Sequence, residues 1–119
     1  MNTFDFIIIG AGSAGCVLAN RLSENRTHSV CIIEAGGSDS KAWIQIPIGY
    51  GKTYYQKSVN WMYTTQSNPS MDNRKSYWPR GKVLGGSSSI NAMVFVRGNA
   101  EDFDDWAAQG NDLWSYQQV

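Results

Sequence analysis

The sequence predicts an α/β fold that starts with a parallel strand–helix–strand unit. Three observations within residues 4–34 support that prediction. An apolar run leads directly into a glycine-rich turn, a helical periodicity begins inside that turn, and a second apolar run ends on an acidic residue. Strands that alternate with helices are typical of parallel sheets, so residues 4–34 are expected to form a βαβ unit.

The strands and the helix of this unit are indicated by their apolar patterns. Residues 4–9 are apolar except for Asp5, which is typical of a strand buried on both faces. The helix is expected from about Ser13 to Ser23, and the second strand over Val30–Ile33. The helical residues at core spacing are Ala14, Val17, Leu18 and Leu22.

The turn between the first strand and the helix has the pattern of a dinucleotide-binding site. Gly10 permits a tight turn, Gly12 lets the backbone approach a pyrophosphate, and Gly15 lets the helix pack close to the strand. The helix N-terminus would direct free N–H groups and partial positive charge at the phosphates. Glu34 lies 19 residues after Gly15, near the roughly 20 expected for a carboxylate that binds ribose hydroxyls. This pattern serves NAD and FAD alike.

A second glycine-rich stretch lies at residues 78–98. Gly85–Ser89 would present successive backbone N–H groups as an anion-binding nest, with hydroxyls beside them. A Gly/Ser run is also typical of a flexible connector. The run is short, however, and apolar residues that would anchor it in a core flank it on both sides: Val83, Leu84, Ile90 and Met93.

Both stretches resemble one known family. Residues 81–91, continuing through Phe95, Gly98 and Asp104, resemble the first signature of the glucose-methanol-choline (GMC) oxidoreductases. Residues 10–22 and 34–36 are similar to the N-terminus of that family, so the resemblance spans essentially the whole chain. It implies a flavoenzyme with a Rossmann-like FAD-binding domain. Such an enzyme would oxidise a primary alcohol, choline-like or aliphatic, to the aldehyde by hydride transfer to flavin N5. Its electrons would pass to a quinone of the respiratory chain or to O2.

The resemblance also implies which residues bind FAD. In the first motif they are Gly10, Gly12, Ser13, Ala14, Gly15, Glu34 and Ala35, with the glycine turn on the pyrophosphate and Glu34 on the adenosine ribose. In the second motif, the pyrophosphate and ribityl region would be lined by Gly81, Val83, Gly86 and Ser87. The residues expected beside the isoalloxazine ring are Asn91, Ala92, Met93 and Val94. Some oxidases of the family carry a histidine that is linked to FAD at the position of Ile90, and isoleucine has no nucleophilic atom. FAD is therefore expected to be non-covalent.

The predicted organisation is an incomplete FAD-binding domain. Its parts are the βαβ unit at 4–34, an irregular excursion at 35–77, the second motif at 78–98 and a helix at about 100–109. Within the excursion, residues 63–66 and 75–78 are predicted to form two strands around a turn at Asp72-Asn73. Asn99 is expected to cap the last helix and Gly110 to end it, and Trp114–Val119 is typical of the first turn of another helix.

The chain is expected to be the N-terminal portion of a longer enzyme or a truncated product. The family's substrate domain would be absent, and its catalytic histidine would lie beyond Val119. The one histidine present, His28, is predicted to be an exposed turn residue.

Composition limits the partners and the compartment. Ten basic and ten acidic residues give a net charge of zero, and no basic run points to nucleic acid. Cys16 and Cys31 are expected to be buried and reduced. The sequence shows no Cys/His spacing for a metal, no signal peptide and no run long enough to span a membrane. A cytoplasmic enzyme is expected, with peripheral attachment to the inner membrane left open.

Three other functions remain open at this stage. The first is a flavin-containing lyase of the same fold, which keeps FAD without redox turnover. The second is an NAD-dependent Rossmann enzyme, which would leave residues 85–91 without a role. The third is a short chain that exists alone as an inactive FAD-binding fragment.

Overall fold

A computed structural model describes residues 2–119 and shows the predicted βαβ unit at the start of the chain. Strand β1 (Phe6–Ile9) is followed by helix α1 (Ser13–Ser23) and strand β2 (Val30–Ile33). The two strands pair in parallel, with Phe6 opposite Val30 and Ile9 opposite Ile33. The predicted bounds of the helix and the second strand are confirmed, and the first strand begins two residues later than its apolar run.

Glycines at two positions allow α1 to sit against the end of β1. Gly10 has a φ of 94°, a left-handed conformation that suits glycine. A Cβ on Gly15 would collide with the Gly10 carbonyl and come within 3.3 Å of the Ile8 side chain. Only a glycine therefore lets the helix pack this close to the strand, as the sequence predicts for Gly15.

Residues 35–77 contain short elements rather than one irregular segment. Single-turn helices α2 (Ala42–Gln45) and α3 (Tyr50–Thr53) flank a 3-10 turn at Pro47–Gly49. Strands β3 (Tyr63–Thr64) and β4 (Tyr77–Trp78) pair antiparallel, which confirms the predicted hairpin in a shorter form. Asp72 and Asn73 both have positive φ in its turn.

The end of the chain follows the prediction closely. Helix α4 spans Ala100–Ala108, with Asn99 at the N-cap position and Gly110 left-handed after it. The Asn99 side chain donates to Glu101 at 3.3 Å and makes no capping bond to the backbone. Trp114 instead ends a 3-10 turn at Asp112–Trp114, and the helix predicted to begin there is reduced to one turn, in which the Gln118 and Val119 N–H groups donate to the Ser115 carbonyl.

The core is small, and several predicted core residues lie at the surface. Val59, Val83 and Ile90 form its centre, and Ile44 packs against them. Ile8 is buried in β1, but Ile9 is 79% exposed, and Val17 and Leu18 of α1 are 61% and 53% exposed. The other α1 residues placed at core spacing, Ala14 and Leu22, are exposed and half-buried. The prediction of a strand covered on both faces is therefore wrong for this structure, because a two-stranded sheet and a single long crossover helix leave the other faces uncovered.

The total solvent-accessible surface area also shows that the sheet and helix faces are poorly covered. The described structure exposes 9339 Å², whereas a compact 13.2 kDa protein exposes about 6,400 Å². Cys16 is exposed and Cys31 is half-buried, so the prediction that both are buried is wrong; both are unpaired thiols, as predicted. His28 is exposed, as predicted, and its ring meets that of Phe6 edge to face.

Candidate cofactor site

The two glycine-rich motifs lie against each other, although they are far apart in the sequence. Gly12 and Gly85 form a parallel bridge, and the Gly85 N–H donates to the Ala11 carbonyl at 2.8 Å. A Cβ on Gly86 would lie 2.9 Å from the Cα of Gly12. Because Gly86 also has a φ of 60°, a side chain there would be both strained and crowded. Glycine at this position allows the close approach of the two motifs.

Glu34 fastens the end of β2 to the glycine turn. One oxygen of its carboxylate accepts the Ala11 N–H at 2.8 Å, and the other accepts the Gly36 N–H at 2.9 Å. The side chain is half-buried. Each carboxylate oxygen can accept a second hydrogen bond, so Glu34 keeps acceptor capacity toward a ligand.

The second motif does not form the nest of free N–H groups that was predicted for it. The N–H groups of Gly85, Gly86 and Ser88 donate to the carbonyls of Ala11, Val83 and Gly85. The Ser88 and Ser89 hydroxyls also donate to backbone carbonyls, of Gly85 and Leu84. The stretch from Gly86 to Ser89 is a 3-10 turn that is hydrogen-bonded to residues 83–85, so it is an ordered turn rather than a flexible connector.

A cleft of about 490 Å³ opens between the two motifs, within the usual range for ligand pockets. A Cβ on Gly10 or Gly12 would meet no atom within 4 Å, so both glycines border open space. Because these residues are glycines, the space beside the N-terminus of α1 is not filled by side chains. Such a space suits a diphosphate group. The cleft is lined by Ile9, Gly10, Gly12, Ile33, Glu34, Ala35, Trp61, Tyr63, Arg80, Gly81, Gly86 and Ser87.

Positive charge reaches this cleft from two sources. Helix α1 begins at Ser13, and its first N–H groups have no acceptor inside the helix. The macrodipole places about half a positive charge there. Arg80 supplies a full charge on the cleft wall, with its guanidinium 4.8 Å from the centre of the Trp78 ring. No carboxylate among residues 2–119 forms an ion pair with Arg80. The Glu34 carboxylate lines the same cleft and offsets part of this charge, so an anion is favoured beside Arg80 and the start of α1 rather than throughout the cleft.

A second cavity of about 250 Å³ continues the cleft toward Asn91 and Ala92. Arg80 and Ser87 line both spaces. Beyond the second cavity the backbone is bent at Met93, a left-handed residue with a φ of 55°. The Asn91 side-chain oxygen accepts the Met93 N–H at 2.6 Å and fixes that bend. The two cavities together make an elongated groove from Glu34 to Ala92.

Most of the predicted site residues lie along this groove. Ser13 and Ala14 lie in the first turn of α1, and Gly15 is buried behind the turn. Val83 is fully buried in the core and lines none of these cavities. Met93 lines a separate space of about 110 Å³ against the α2–α3 segment. Val94 is 76% exposed and lines none of these cavities.

Five residues of the cleft wall were not predicted as site residues: Ile9, Ile33, Trp61, Tyr63 and Arg80. Trp61 and Tyr63 stack with ring centres 5.9 Å apart, and Arg80 lies on the neighbouring segment. The Trp61 N–H donates to the Arg80 carbonyl at 2.9 Å, which holds the two segments together. Of Trp61, Tyr63 and Arg80, only Tyr63 lies in a predicted strand, and the hairpin pattern did not indicate which face would meet the glycine turn; Trp61 and Arg80 lie just outside the predicted strands.

Two other features are absent from residues 2–119. No three residues of the His, Cys, Asp and Glu types are grouped so that they would hold a metal ion. No helix in this range is long and apolar enough to cross a membrane.

Known proteins resemble the chain over almost its whole length. An oxygen-dependent choline dehydrogenase of Vibrio vulnificus is 54% identical over 114 residues, which are 96% of this chain and 20% of that protein. An alcohol dehydrogenase [acceptor] of Pseudomonas putida is 47% identical over 116 residues, 98% of this chain and 21% of that protein. The chain thus spans about a fifth of the length of these relatives.

The fold is shared with a solved flavoprotein. A formate oxidase of Aspergillus oryzae, studied for the modification of its FAD, matches with a TM-score of 0.75 and 35% identity. The match covers 97% of this chain and 20% of that one. The family model described as GMC oxidoreductase matches residues 4–119. These findings confirm the predicted α/β fold, the oxidoreductase class and FAD as the cofactor of the family. The chain belongs to the GMC oxidoreductase family.

Proposed function

We propose that this chain forms the cofactor-binding part of an FAD-dependent enzyme that oxidises a primary alcohol to the aldehyde. The observation that carries the proposal is the contact between the two motifs. Gly86 lies so close to Gly12 that a Cβ on Gly86 would be crowded, while Gly12 borders an open cleft that Arg80 and the start of α1 also face. A diphosphate that links two nucleoside-like halves fits an elongated groove of this kind.

Each part of the groove suits one part of FAD. Glu34 and Ala35 lie at one end, where carboxylate oxygens would accept from the hydroxyls of the adenosine ribose. Gly10, Gly12 and the first turn of α1, with Ser13, Ala14 and Gly15, would surround the diphosphate. Gly81, Gly86 and Ser87 would form the opposite wall, and the buried Val83 would support it from behind, where its carbonyl accepts the Gly86 N–H at 2.8 Å. Asn91 and Ala92 lie at the far end, where the isoalloxazine ring would sit, with Met93 and Val94 following them.

Bound FAD would supply the acceptor for a hydride, at flavin N5. The residues of this chain would bind and orient it. The Met93 N–H is already paired with the Asn91 side chain, so the Ala92 N–H is the better placed of the two to stabilise negative charge on the ring. The proton acceptor for the alcohol is expected from a histidine beyond Val119.

Non-covalent attachment of FAD is supported by the environment of Ile90. Its side chain is 4% exposed and packs with Val59 and Val83. An aliphatic group in an apolar core offers no bond to a flavin. We therefore expect FAD to be released intact when the protein is denatured.

The test uses the complete polypeptide that carries these residues. After heat denaturation, the supernatant should contain FAD rather than NAD. Under anaerobic conditions, choline or an aliphatic primary alcohol should bleach the flavin absorbance, while a tertiary alcohol of the same size should not. A protein that keeps its FAD but is bleached by no primary alcohol would favour a lyase of the same fold and overturn the redox proposal.

The proposal also covers the electron acceptor, which is O2 or a quinone, and the cellular compartment. Re-oxidation of the reduced flavin by O2 and by a soluble quinone, compared side by side, identifies the acceptor. We expect the enzyme in the cytoplasm, so the flavin should appear in the soluble fraction of lysed cells. Recovery in the membrane fraction would indicate peripheral attachment to the inner membrane instead and would favour its quinone as the acceptor.

A further inference from the structure

Asn60 is a buried polar residue outside the predicted motifs, and every hydrogen-bonding group of its amide is used. Its side chain is 1% exposed. The amide nitrogen donates to the Tyr54 carbonyl at 2.7 Å and to the Tyr77 hydroxyl at 3.2 Å. The amide oxygen accepts the Met62 N–H at 2.8 Å and the Arg80 N–H at 3.0 Å. An asparagine side chain offers two donor hydrogens and two acceptor sites, so none is left over.

The two sides of the amide serve different parts of the structure. The nitrogen faces the end of α3 through Tyr54, and it meets β4 through Tyr77, whose hydroxyl also donates to the Tyr54 carbonyl at 2.6 Å. The oxygen accepts one backbone N–H from each of two chain segments, at Met62 and at Arg80. We call the Met62 and Arg80 hydrogen bonds the acceptor pair of Asn60.

The acceptor pair joins the two segments that form one wall of the cleft. Around Asn60, the Trp61 N–H donates to the Arg80 carbonyl at 2.9 Å and the Lys82 N–H donates to the Val59 carbonyl at 2.8 Å. Asn60 and Gly81 form an antiparallel bridge at the same point. Trp61, Arg80 and Gly81 all line the cleft opposite the start of α1.

We propose that Asn60 is a positioning residue for the dinucleotide cleft: its amide oxygen holds Trp61 and Arg80 at the distance from the glycine turn that FAD requires. This inference rests on the proposed function, because it names a residue that acts on the same cleft without touching the cofactor. Loss of the acceptor pair would leave two part-buried N–H groups unpaired and would loosen the wall, since only the Trp61–Arg80 and Lys82–Val59 hydrogen bonds would then join its two segments. Loss of the Tyr77 hydroxyl would remove hydrogen bonds only on the nitrogen side of the amide, those to Asn60 and to the Tyr54 carbonyl.

The experiment compares Asn60→Ala with Tyr77→Phe in the complete FAD-loaded polypeptide. Hydrogen exchange is followed at the Met62 and Arg80 amides, and the Kd for FAD is measured after the cofactor is removed and titrated back. Asn60→Ala should speed exchange of both amides at least tenfold and raise the Kd at least tenfold. Tyr77→Phe should lower the melting temperature while the Kd changes less than threefold. The control is Asn68→Ala, because the exposed Asn68 side chain also accepts a backbone N–H, from Ser70 at 3.0 Å, away from the cleft.

A mutation-free readout keeps the inference testable if Asn60→Ala does not fold. In the unmodified protein, the Met62 and Arg80 amides should exchange at least tenfold more slowly than the Ser70 amide, and FAD should slow them further by a common factor. Exchange as fast as that of Ser70 overturns the inference. An equal rise of the Kd in Asn60→Ala and Tyr77→Phe also overturns it, since that would be a general effect of lost stability. A protein that binds no FAD at all contradicts the proposed function, whereas the exchange rates without FAD still decide whether Asn60 holds the wall.

Discussion

Glu34 and Ala11 are joined by a hydrogen bond of 2.8 Å from the Ala11 N–H to one carboxylate oxygen. The other oxygen accepts the Gly36 N–H. The acid expected to bind ribose therefore also fixes the glycine turn relative to the end of β2. A change at Glu34 should consequently affect the shape of the turn as well as direct contact with the ligand.

The first prediction concerns Glu34→Gln. The amide keeps one acceptor oxygen but presents an NH2 group to one of the two N–H donors, so one charge-assisted hydrogen bond is lost. Such bonds contribute about 1.5–3 kcal/mol, and each 1.4 kcal/mol is tenfold in affinity. We expect FAD binding to weaken by about 10- to 100-fold in a titration of the apoprotein.

The matched control is Glu24→Gln. Glu24 forms an exposed ion pair with Arg21 at 3.4 Å, and exposed pairs contribute about 0–1 kcal/mol. FAD affinity should be unchanged in this variant. Equal affinity in Glu34→Gln and the unaltered protein would show that Glu34 does not hold the site.

The second prediction concerns Gly86→Ala. A Cβ there would lie 2.9 Å from the Gly12 Cα, and the residue has a φ of 60°. The left-handed conformation alone costs an alanine about 1–2 kcal/mol. We expect both a lower melting temperature and weaker FAD binding, measured by thermal unfolding of the apoprotein and by titration.

Gly51→Ala is the comparison for Gly86→Ala. Gly51 lies in α3, is exposed, and a Cβ there would meet no atom within 4 Å. Because alanine favours helix over glycine by about 1 kcal/mol, the melting temperature should stay the same or rise. A similar loss of stability in both variants would contradict the close contact between the motifs.

The third prediction concerns pH. The Asp5 carboxylate accepts the Ser29 N–H and the Ser29 hydroxyl, each at 2.7 Å. The backbone hydrogen bond, followed by the hydroxyl, lowers the pKa of Asp5 below its ordinary value. A lowered pKa in the folded state means that Asp5 stabilises the fold at neutral pH. That contribution is lost as the pH falls below about 4, where the unfolded chain takes up a proton first.

Asp5→Asn tests this link between the starts of β1 and β2. The variant should be less stable than the unaltered protein at pH 7, and the difference should shrink as the pH falls below about 4. Denaturant unfolding at several pH values measures it. A difference that is constant over the whole pH range would contradict the role of the Asp5 charge.

Local sequence patterns predicted the elements that local interactions form. The bounds of α1 and β2 follow from apolar spacing and glycine positions, and the structure matches them. The cap position of Asn99 and the stop at Gly110 are equally local. The family resemblance then indicated which two motifs belong to one site.

The errors and omissions involve long-range contacts. The free N–H groups predicted at Gly85 are taken by Ala11, a partner that only the folded chain brings near. Trp61 reaches the cleft because residues 59–61 pair with residues 80–82, and that register is not visible in either segment alone. Exposure of Ile9 and Val17 depends on which elements cover the sheet, and periodicity does not reveal that.

The central claim is that the cleft beside Gly12 receives the diphosphate of FAD, and Gly12→Ala tests it most directly. Gly12 has an extended backbone (φ −77°, ψ −173°) that alanine adopts freely, and a Cβ there meets no protein atom within 4 Å. The variant apoprotein should therefore melt at the same temperature as the unaltered one. The measurement is the Kd for FAD of the complete polypeptide. A rise of 100-fold or more with unchanged melting is the predicted result, and an unchanged Kd would contradict the account.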